Sequence, residues 1–280
     1  MGFFDAIVLG VVQGVTEFLP ISSSGHLILA REVLGIESEH GLAVDAVLQM
    51  VTACTVILYF RHDLARLFFD ALRWIQGLHI AADSRVMIFA LALGTLPAVV
   101  AGLFLEEAMD TIFRDPSLVA WVLIAGSGLL VCAEWVYAKR EHTASSSKDE
   151  VGNMGQGSVT IPKAFAIGCF QALALIPGVS RSGATISGGM LLGLAREQAA
   201  RFAFLLSVPI IVGAGSKKLL ELGGADLAQD EWHMIALASF FAFSSGLASI
   251  HYLLKYLRNH SLLVFVVYRV ALAMIVFAVL

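Results

Sequence analysis

Two short stretches of this sequence gather the side-chain types that handle a phosphorylated ligand. The first offers Gln13, Glu17, Ser22, Ser23, Ser24 and His26, and the second offers Gln171, Ser180, Arg181, Ser182 and Thr185. An arginine presents a planar fork that can pair two phosphate oxygens at once. A Ser-Arg-Ser-Gly turn can aim successive backbone N–H groups at an anion. The helix expected to start near Ala184 would add its N-terminal dipole. Gln13 and Glu17 are four residues apart and so share one helical face, where their oxygens could hold a divalent cation. His26 can transfer protons or attack phosphorus, and Ser23 is the competing nucleophile if His26 or Glu17 serves as its base. Glu17 and Arg181 could instead form a plain structural ion pair, but that leaves the surrounding hydroxyls and the histidine without a purpose.

Composition points to membrane helices as the frame that carries these residues. The chain has 280 residues, is 58% hydrophobic and only 14% charged, and has a mean hydropathy of +0.83. A soluble domain is about 45–50% apolar and about 25% charged, so this chain cannot cover its surface with water-compatible side chains. Composition thus argues against a soluble globular enzyme, a disordered chain and a coiled coil. The net charge of -4 argues against a nucleic-acid partner, because a polyanion calls for a basic face. The remaining reading is an all-α polytopic membrane protein, with the lipid bilayer as its surroundings.

A spanning helix needs roughly 20 mostly apolar residues. Six segments qualify, at about 44–60, 86–105, 117–138, 202–221, 233–254 and 262–280. The regions 3–35 and 164–195 are apolar but broken, the first at Leu19-Pro20-Ile21-Ser22-Ser23-Ser24-Gly25 and the second at Ile176-Pro177-Gly178-Val179-Ser180-Arg181-Ser182-Gly183. Pro, Gly and Ser clusters interrupt helices, and each half is too short to span. Each region therefore reads as a re-entrant hairpin. The breaks match in register: 158 residues separate Ser22 from Ser180 and Gly25 from Gly183. The predicted architecture is an inverted repeat in a single membrane domain, 1–280. Each half is a re-entrant hairpin plus three transmembrane helices, at about 1–138 and 164–280, joined by a cytoplasmic linker at about 139–163. Within it, 141–160 is rich in Ser, Gly and charge and reads as flexible. Paired broken helices of inverted repeats meet near the membrane midplane and carry the site there.

Loop charges set the expected orientation. Loops 61–85, 139–163, 196–201 and 255–258 are basic, whereas 31–45 and 106–116 are acidic. The positive-inside rule puts the basic loops in the cytoplasm and both chain ends outside; Lys217 and Lys218 in the outward loop 217–231 run against it. The opening MGFFDAIVLG has Asp5 where a signal peptide would be basic, so it reads as part of the fold. Cys54, Cys132 and Cys169 lie in apolar runs and read as buried free thiols. Arg269, inside the last span, reads as a structurally paired or snorkelling arginine, although an intramembrane arginine is a functional candidate by default. Glu134 reads as a boundary residue. Gly188, Gly189 and Gly193 read as sites of close helix packing.

QGVTEFLPISSSGHLIL and PGVSRSGATISGGMLLGLAREQAARFAFLLSVP resemble the signature motifs of the bacterial undecaprenyl-diphosphate phosphatases of the bacitracin-resistance type. The resemblance extends through AVDAVLQMVTACTVILYFRHDL to the terminal VYRVALAMIVFAVL. It implies an enzyme of the bacterial cytoplasmic membrane that removes one phosphate from undecaprenyl diphosphate, giving the carrier lipid of cell-wall synthesis. It also implies catalytic roles for Glu17, Ser23, His26 and Arg181, and a requirement for Mg2+ or Ca2+. The chain departs from the family pattern at Gln13, where Glu is common, which removes one carboxylate from a two-acid metal site. Ser24 replaces a common Thr, and Gln49-Met50-Val51 lacks the usual Gly. Other expectations stay open at this point. A lipid-phosphate flippase would use the same inverted-repeat cavity, a homodimer is one possible assembly, and the nucleophile is Ser23, His26 or water. A non-catalytic scaffold would not need charged residues at helix breaks.

Overall fold

The computed structural model describes residues 2–36, 41–110, 115–145, 158–222 and 229–279. They form helices and no strand. The first hairpin is α1 (Phe3–Phe18) and α2 (Ser23–Leu34), followed by α3 (Gly41–Tyr59), α4 (Arg61–Ile75), α5 (Ala82–Asp110) and α6 (Pro116–Ser145). The second hairpin is α7 (Ile161–Leu173) and α8 (Arg181–Leu191), followed by α9 (Arg196–Leu222), α10 (Gln229–Leu257) and α11 (Leu263–Val279). The expected linker is helical as far as Ser145, where α6 ends; residues 146–157 of it lie outside the described residues.

Four helices, α5, α6, α9 and α10, contain segments long and apolar enough to cross a membrane, and the chain is a multi-pass membrane protein. The other two expected spans come out differently. The apolar part of α3 bends by 83° into α4 after Tyr59. At 17 residues, α11 rises only about 26 Å, short of the roughly 30 Å hydrocarbon core.

The loop expected over 61–85 is instead largely the helix α4. Its sequence fails as a span because Arg61, Arg66 and Arg73 interrupt the apolar run, yet the run keeps a helical period. Leu67 is buried against the protein, while Phe68, Phe69, Leu72 and Ile75 face outward. Such an arrangement suits a helix lying along the membrane surface.

The hairpins seat by close backbone approach. α1 packs on α10 and α7 packs on α5. A Cβ on Gly10 or Gly14 would collide with the carbonyls of Ala238 and Ala242, and one on Gly168 with the carbonyl of Gly94. Small residues at four-residue spacing allow this contact. α8 packs against α6 and α9, α6 against α11, and α3 against α9. Gly188 faces the Phe170 ring and Gly189 faces Ala199. Gly193 has φ 91°, so its part is to make the turn between α8 and α9, a conformation that favours glycine.

Two expectations about polar residues need correction or detail. The three cysteines are free, but all are exposed on their helix surfaces rather than buried. Lipid is as apolar as a protein core, so hydropathy does not distinguish the two faces. Glu134 does not end its span as a solvated group. It accepts Arg196 through both oxygens, at 2.7 to 3.2 Å, and the Leu262 N–H at 2.7 Å.

Ion pairs also tie the basic loops together. Arg201 pairs with Asp63 at 3.0 Å and Arg258 with Glu197 at 2.9 Å. Arg140 donates to the last carbonyls of α8, at Met190 and Leu191. Arg31 pairs with Asp45 between α2 and α3.

Candidate active site

Both hairpins break the same way. Pro20 and Pro177 precede the restarts, and α2 and α8 each begin behind a serine in the left-handed region, Ser22 at φ 75° and Ser180 at φ 74°. Non-glycine residues hold this conformation only where the surroundings over-determine it. Here the side chain caps the new helix: Ser22 Oγ accepts the Gly25 N–H at 3.5 Å, and Ser180 Oγ accepts the Gly183 N–H at 3.1 Å. Each capping serine also meets the serine two residues on, Ser24 at 3.4 Å and Ser182 at 3.1 Å.

The two breaks interlock. Ser22 Oγ accepts the Gly178 N–H at 3.2 Å, and Ser182 Oγ donates to the Leu19 carbonyl at 2.9 Å. Beneath them lies Arg269, 0% exposed. Its guanidinium donates to Pro20 O (3.2 Å), Gly178 O (2.8 Å), Val179 O (2.9 Å) and Leu123 O (3.2 Å). Arg269 is thus paired with backbone carbonyls of both breaks and of α6.

The interlock brings Glu17, Ser23 and Arg181 together. Ser23 Oγ donates to Glu17 Oε2 at 2.6 Å, and Gln13 Nε2 donates to the same oxygen at 3.1 Å. The other oxygen, Oε1, lies 3.4 Å from Arg181 Nη1. Nη1 is buried yet makes no hydrogen bond, and neither does the buried Gln13 Oε1. Glu17, Arg181, Ser182 and Thr185 line a cleft together with Phe18, Ala203, Phe204, Ser207 and Ile211. Ser207 of α9 carried no signal in the sequence, since it sits mid-span among apolar neighbours.

The remaining candidates are placed differently. Ser22 and Ser182 hold the breaks together, Ser180 caps α8, and the Thr185 hydroxyl donates to Arg181 O at 2.7 Å. The expected anion nest is narrower than the sequence suggested, because Ser180 Oγ and Ser22 Oγ already take the N–H groups of Gly183 and Gly178. Gln171 is buried, with both amide atoms unpartnered. Leu175 stands where the first hairpin has Glu17, so Gln171 lacks the carboxylate that anchors Gln13. His26 makes no hydrogen bond to Glu17 or Arg181. Its Nδ1 lies 2.7 Å from Ser22 O and its Nε2 lies 2.7 Å from the Tyr268 hydroxyl. Tyr268 was missed in the sequence, being an ordinary aromatic in an apolar helix.

The donor set decides what metal could sit here. Among the described residues no group of three or more His, Cys, Asp or Glu could hold an ion. Glu17 supplies one carboxylate and Gln13 one free amide oxygen. That is too little for an all-protein cage, but it fits an ion that takes its other ligands from a diphosphate and water, the usual habit of Mg2+.

The family described as bacitracin resistance protein BacA matches residues 6–275. Undecaprenyl-diphosphatase 2 of Frankia casuarinae is 40% identical over 281 residues, covering 100% of this chain and 95% of its own length. The undecaprenyl-diphosphatases of Nitrosococcus oceani and Marinobacter nauticus are 39% and 38% identical, over 99% and 100% of this chain and 98% and 100% of their own lengths. With a match this long, and with both breaks inside it, the chain belongs to the bacitracin resistance protein BacA family.

Proposed function

We propose that this protein hydrolyses undecaprenyl diphosphate to undecaprenyl phosphate and inorganic phosphate at the junction of the two breaks, recycling the carrier lipid for cell-wall synthesis. The observation that carries the reading is the 2.6 Å hydrogen bond from Ser23 to Glu17, with Arg181 against the same carboxylate. A serine hydroxyl bonded to a carboxylate is a nucleophile beside its base. A guanidinium with an unbonded N–H is a ready clamp for phosphate oxygens.

The reaction then runs in two parts. Ser23 Oγ attacks the terminal phosphorus as Glu17 Oε2 takes its proton. The bond from phosphorus to the bridging oxygen breaks, and undecaprenyl phosphate leaves. Water next attacks the phosphoserine, Ser23 recovers its proton from Glu17, and phosphate departs. Phosphoryl transfer asks a protein mainly for positioning and charge stabilisation, which Arg181 supplies. A divalent cation carried by the diphosphate would find Glu17 and the Gln13 amide oxygen as protein ligands and would neutralise phosphate charge. Phe18, Phe204 and Ile211 form the apolar wall on which the first isoprene units rest. The occupied nitrogens of His26 favour Ser23 over His26 as the attacking group.

The two hairpins carry equivalent serine turns and pack in a matched way, α1 on α10 and α7 on α5, which supports an inverted repeat. The ion pairs among loops 61–85, 196–201 and 255–258 support one cytoplasmic end. In this reading the first hairpin enters from outside, the second enters from inside, and both termini are outside. A pure flippase is less favoured, since translocation alone calls for no nucleophile, and the relatives carry a diphosphatase name.

The test is phosphate release from undecaprenyl diphosphate by the purified protein, with rapid quench of substrate labelled in the terminal phosphate. We expect an acid-stable phosphoserine adduct, and we expect Ser23→Ala to lose turnover by about 100-fold or more, the scale of a positioned catalytic group. An acid-labile, base-stable adduct would move the role to His26. Near-normal turnover in Ser23→Ala would remove Ser23 from the chemistry, and absence of any phosphate release would leave transport as the function.

A further inference from the structure

Tyr268 lies in α11, outside both breaks, but it touches the first of them through His26. The two rings are 7° from parallel with centroids 5.6 Å apart, and the hydroxyl lies 2.7 Å from Nε2. On the other side of the ring, Nδ1 lies 2.7 Å from Ser22 O. A carbonyl oxygen only accepts, so Nδ1 bears the ring proton. Nε2 of the neutral ring is then an acceptor, and the tyrosine O–H donates to it. The imidazole is therefore held in one tautomer from both ends.

The second break shows what this contact is not needed for. Ser180 adopts the same left-handed conformation as Ser22 and caps its helix in the same way. Ala184 stands there where the first break has His26. The serine turn thus forms without a histidine, and the His26–Tyr268 contact is not a requirement for folding it. What the contact does determine is which nitrogen of His26 is basic.

We infer that Tyr268 is a positioning residue that acts through His26, holding the ring as its Nδ1–H tautomer so that Nε2 is the one basic nitrogen it offers during turnover. The inference rests on the reading above that turnover happens at the first break, and it adds that His26 takes part through Nε2. Tyr268 is 44% exposed, so its hydroxyl can swing aside and release Nε2 without disturbing a packed core.

The test is Tyr268→Phe in the full-length protein, which removes only the hydroxyl. We expect kcat to fall about tenfold, a part of the roughly 100- to 10,000-fold that a positioned acid or base contributes, with KM within about twofold and an unchanged thermal melt. In protein with 15N-labelled histidine, the His26 signals are those that vanish in His26→Gln. Wild type should give the Nδ1–H pattern, and Tyr268→Phe should add the Nε2–H pattern. In the His26→Gln background, Tyr268→Phe should have no further effect on kcat, a coupling that a merely structural tyrosine would not produce. An unchanged tautomer in Tyr268→Phe, or independent effects of the two substitutions, would overturn the inference. Full turnover in His26→Gln would overturn the participation of His26, and the 15N pattern separates that failure from a wrong tautomer assignment.

Discussion

Replacing Arg269 is the sharpest test of how the two breaks are held together. Its guanidinium donates to four backbone carbonyls, two in the second break, one in the first and one in α6, and the residue is fully buried. In Arg269→Lys a single ammonium replaces the planar fork, and it cannot reach carbonyls spread over three segments. At least two of the four bonds are lost. A hydrogen bond to a charged group contributes about 1.5–3 kcal/mol, so the expected destabilisation is about 3–6 kcal/mol. That is a large fraction of the ~5–15 kcal/mol by which folded proteins are usually stable. At about 2–4 °C per kcal/mol for a chain approaching this size, the melting midpoint in detergent should drop by about 6 °C or more, and phosphate release should fall with it. A second perturbation reaches the same point without changing charge. A Cβ on Gly126 would collide with Nη2 of Arg269, so Gly126→Ala should displace the guanidinium and reproduce part of both losses. If Arg269→Lys and Gly126→Ala both melt within about 2 °C of wild type, the four carbonyl contacts do not hold the breaks, and the reasoning fails.

Other consequences can be checked separately. Arg181→Lys should lose at least about 3 kcal/mol of transition-state stabilisation, roughly 100-fold in kcat/KM, on protein with an unchanged melt; activity within a few-fold of wild type would rule out the phosphate clamp. Treatment with EDTA should abolish phosphate release, and added Mg2+ or Ca2+ should restore it; turnover indifferent to chelation would mean that Arg181 and the backbone neutralise the diphosphate unaided. For topology, with Cys54, Cys132 and Cys169 replaced by Ser, an impermeant thiol reagent on intact cells should label Val33→Cys but not His79→Cys. Equal labelling at both would break the inverted arrangement.

Much of this molecule is legible in its linear sequence, for local reasons. Hydropathy marks α5, α6, α9 and α10 because a lipid-facing helix is apolar along most of its length. The breaks are equally visible, since Pro20 and Pro177 are followed by Ser and Gly clusters that interrupt a helix and favour a cap, whereas Pro97 and Pro209 alone leave α5 and α9 continuous. The match between Ser22-x-Ser24-Gly25 and Ser180-x-Ser182-Gly183 paired the two breaks, and the structure gives both capping serines the same turn, at φ 75° and 74°. Glu17, Ser23 and Arg181 stood out because charge and hydroxyls are costly at membrane depth unless they have a purpose there.

Tertiary structure decided what no local pattern encodes. α3 bends by 83° into α4 after Tyr59, a turn that the run of apolar residues with scattered arginines does not mark. Which apolar faces are buried is a matter of partners, so the cysteines came out exposed, and the spacing of Gly10 and Gly14 permits close packing without naming α10 as the partner. The site depends on long-range approach above all. Ser23 meets Glu17 within one hairpin, but Arg181 reaches them only because Ser22, Ser182 and Arg269 lock the breaks together. Tyr268 meets His26 across 242 residues. Hydrogen bonds between distant backbone segments leave no periodicity in a sequence, so the chain announced its reactive groups, while only the packing of α11, α6 and the two hairpins determined how they are aimed.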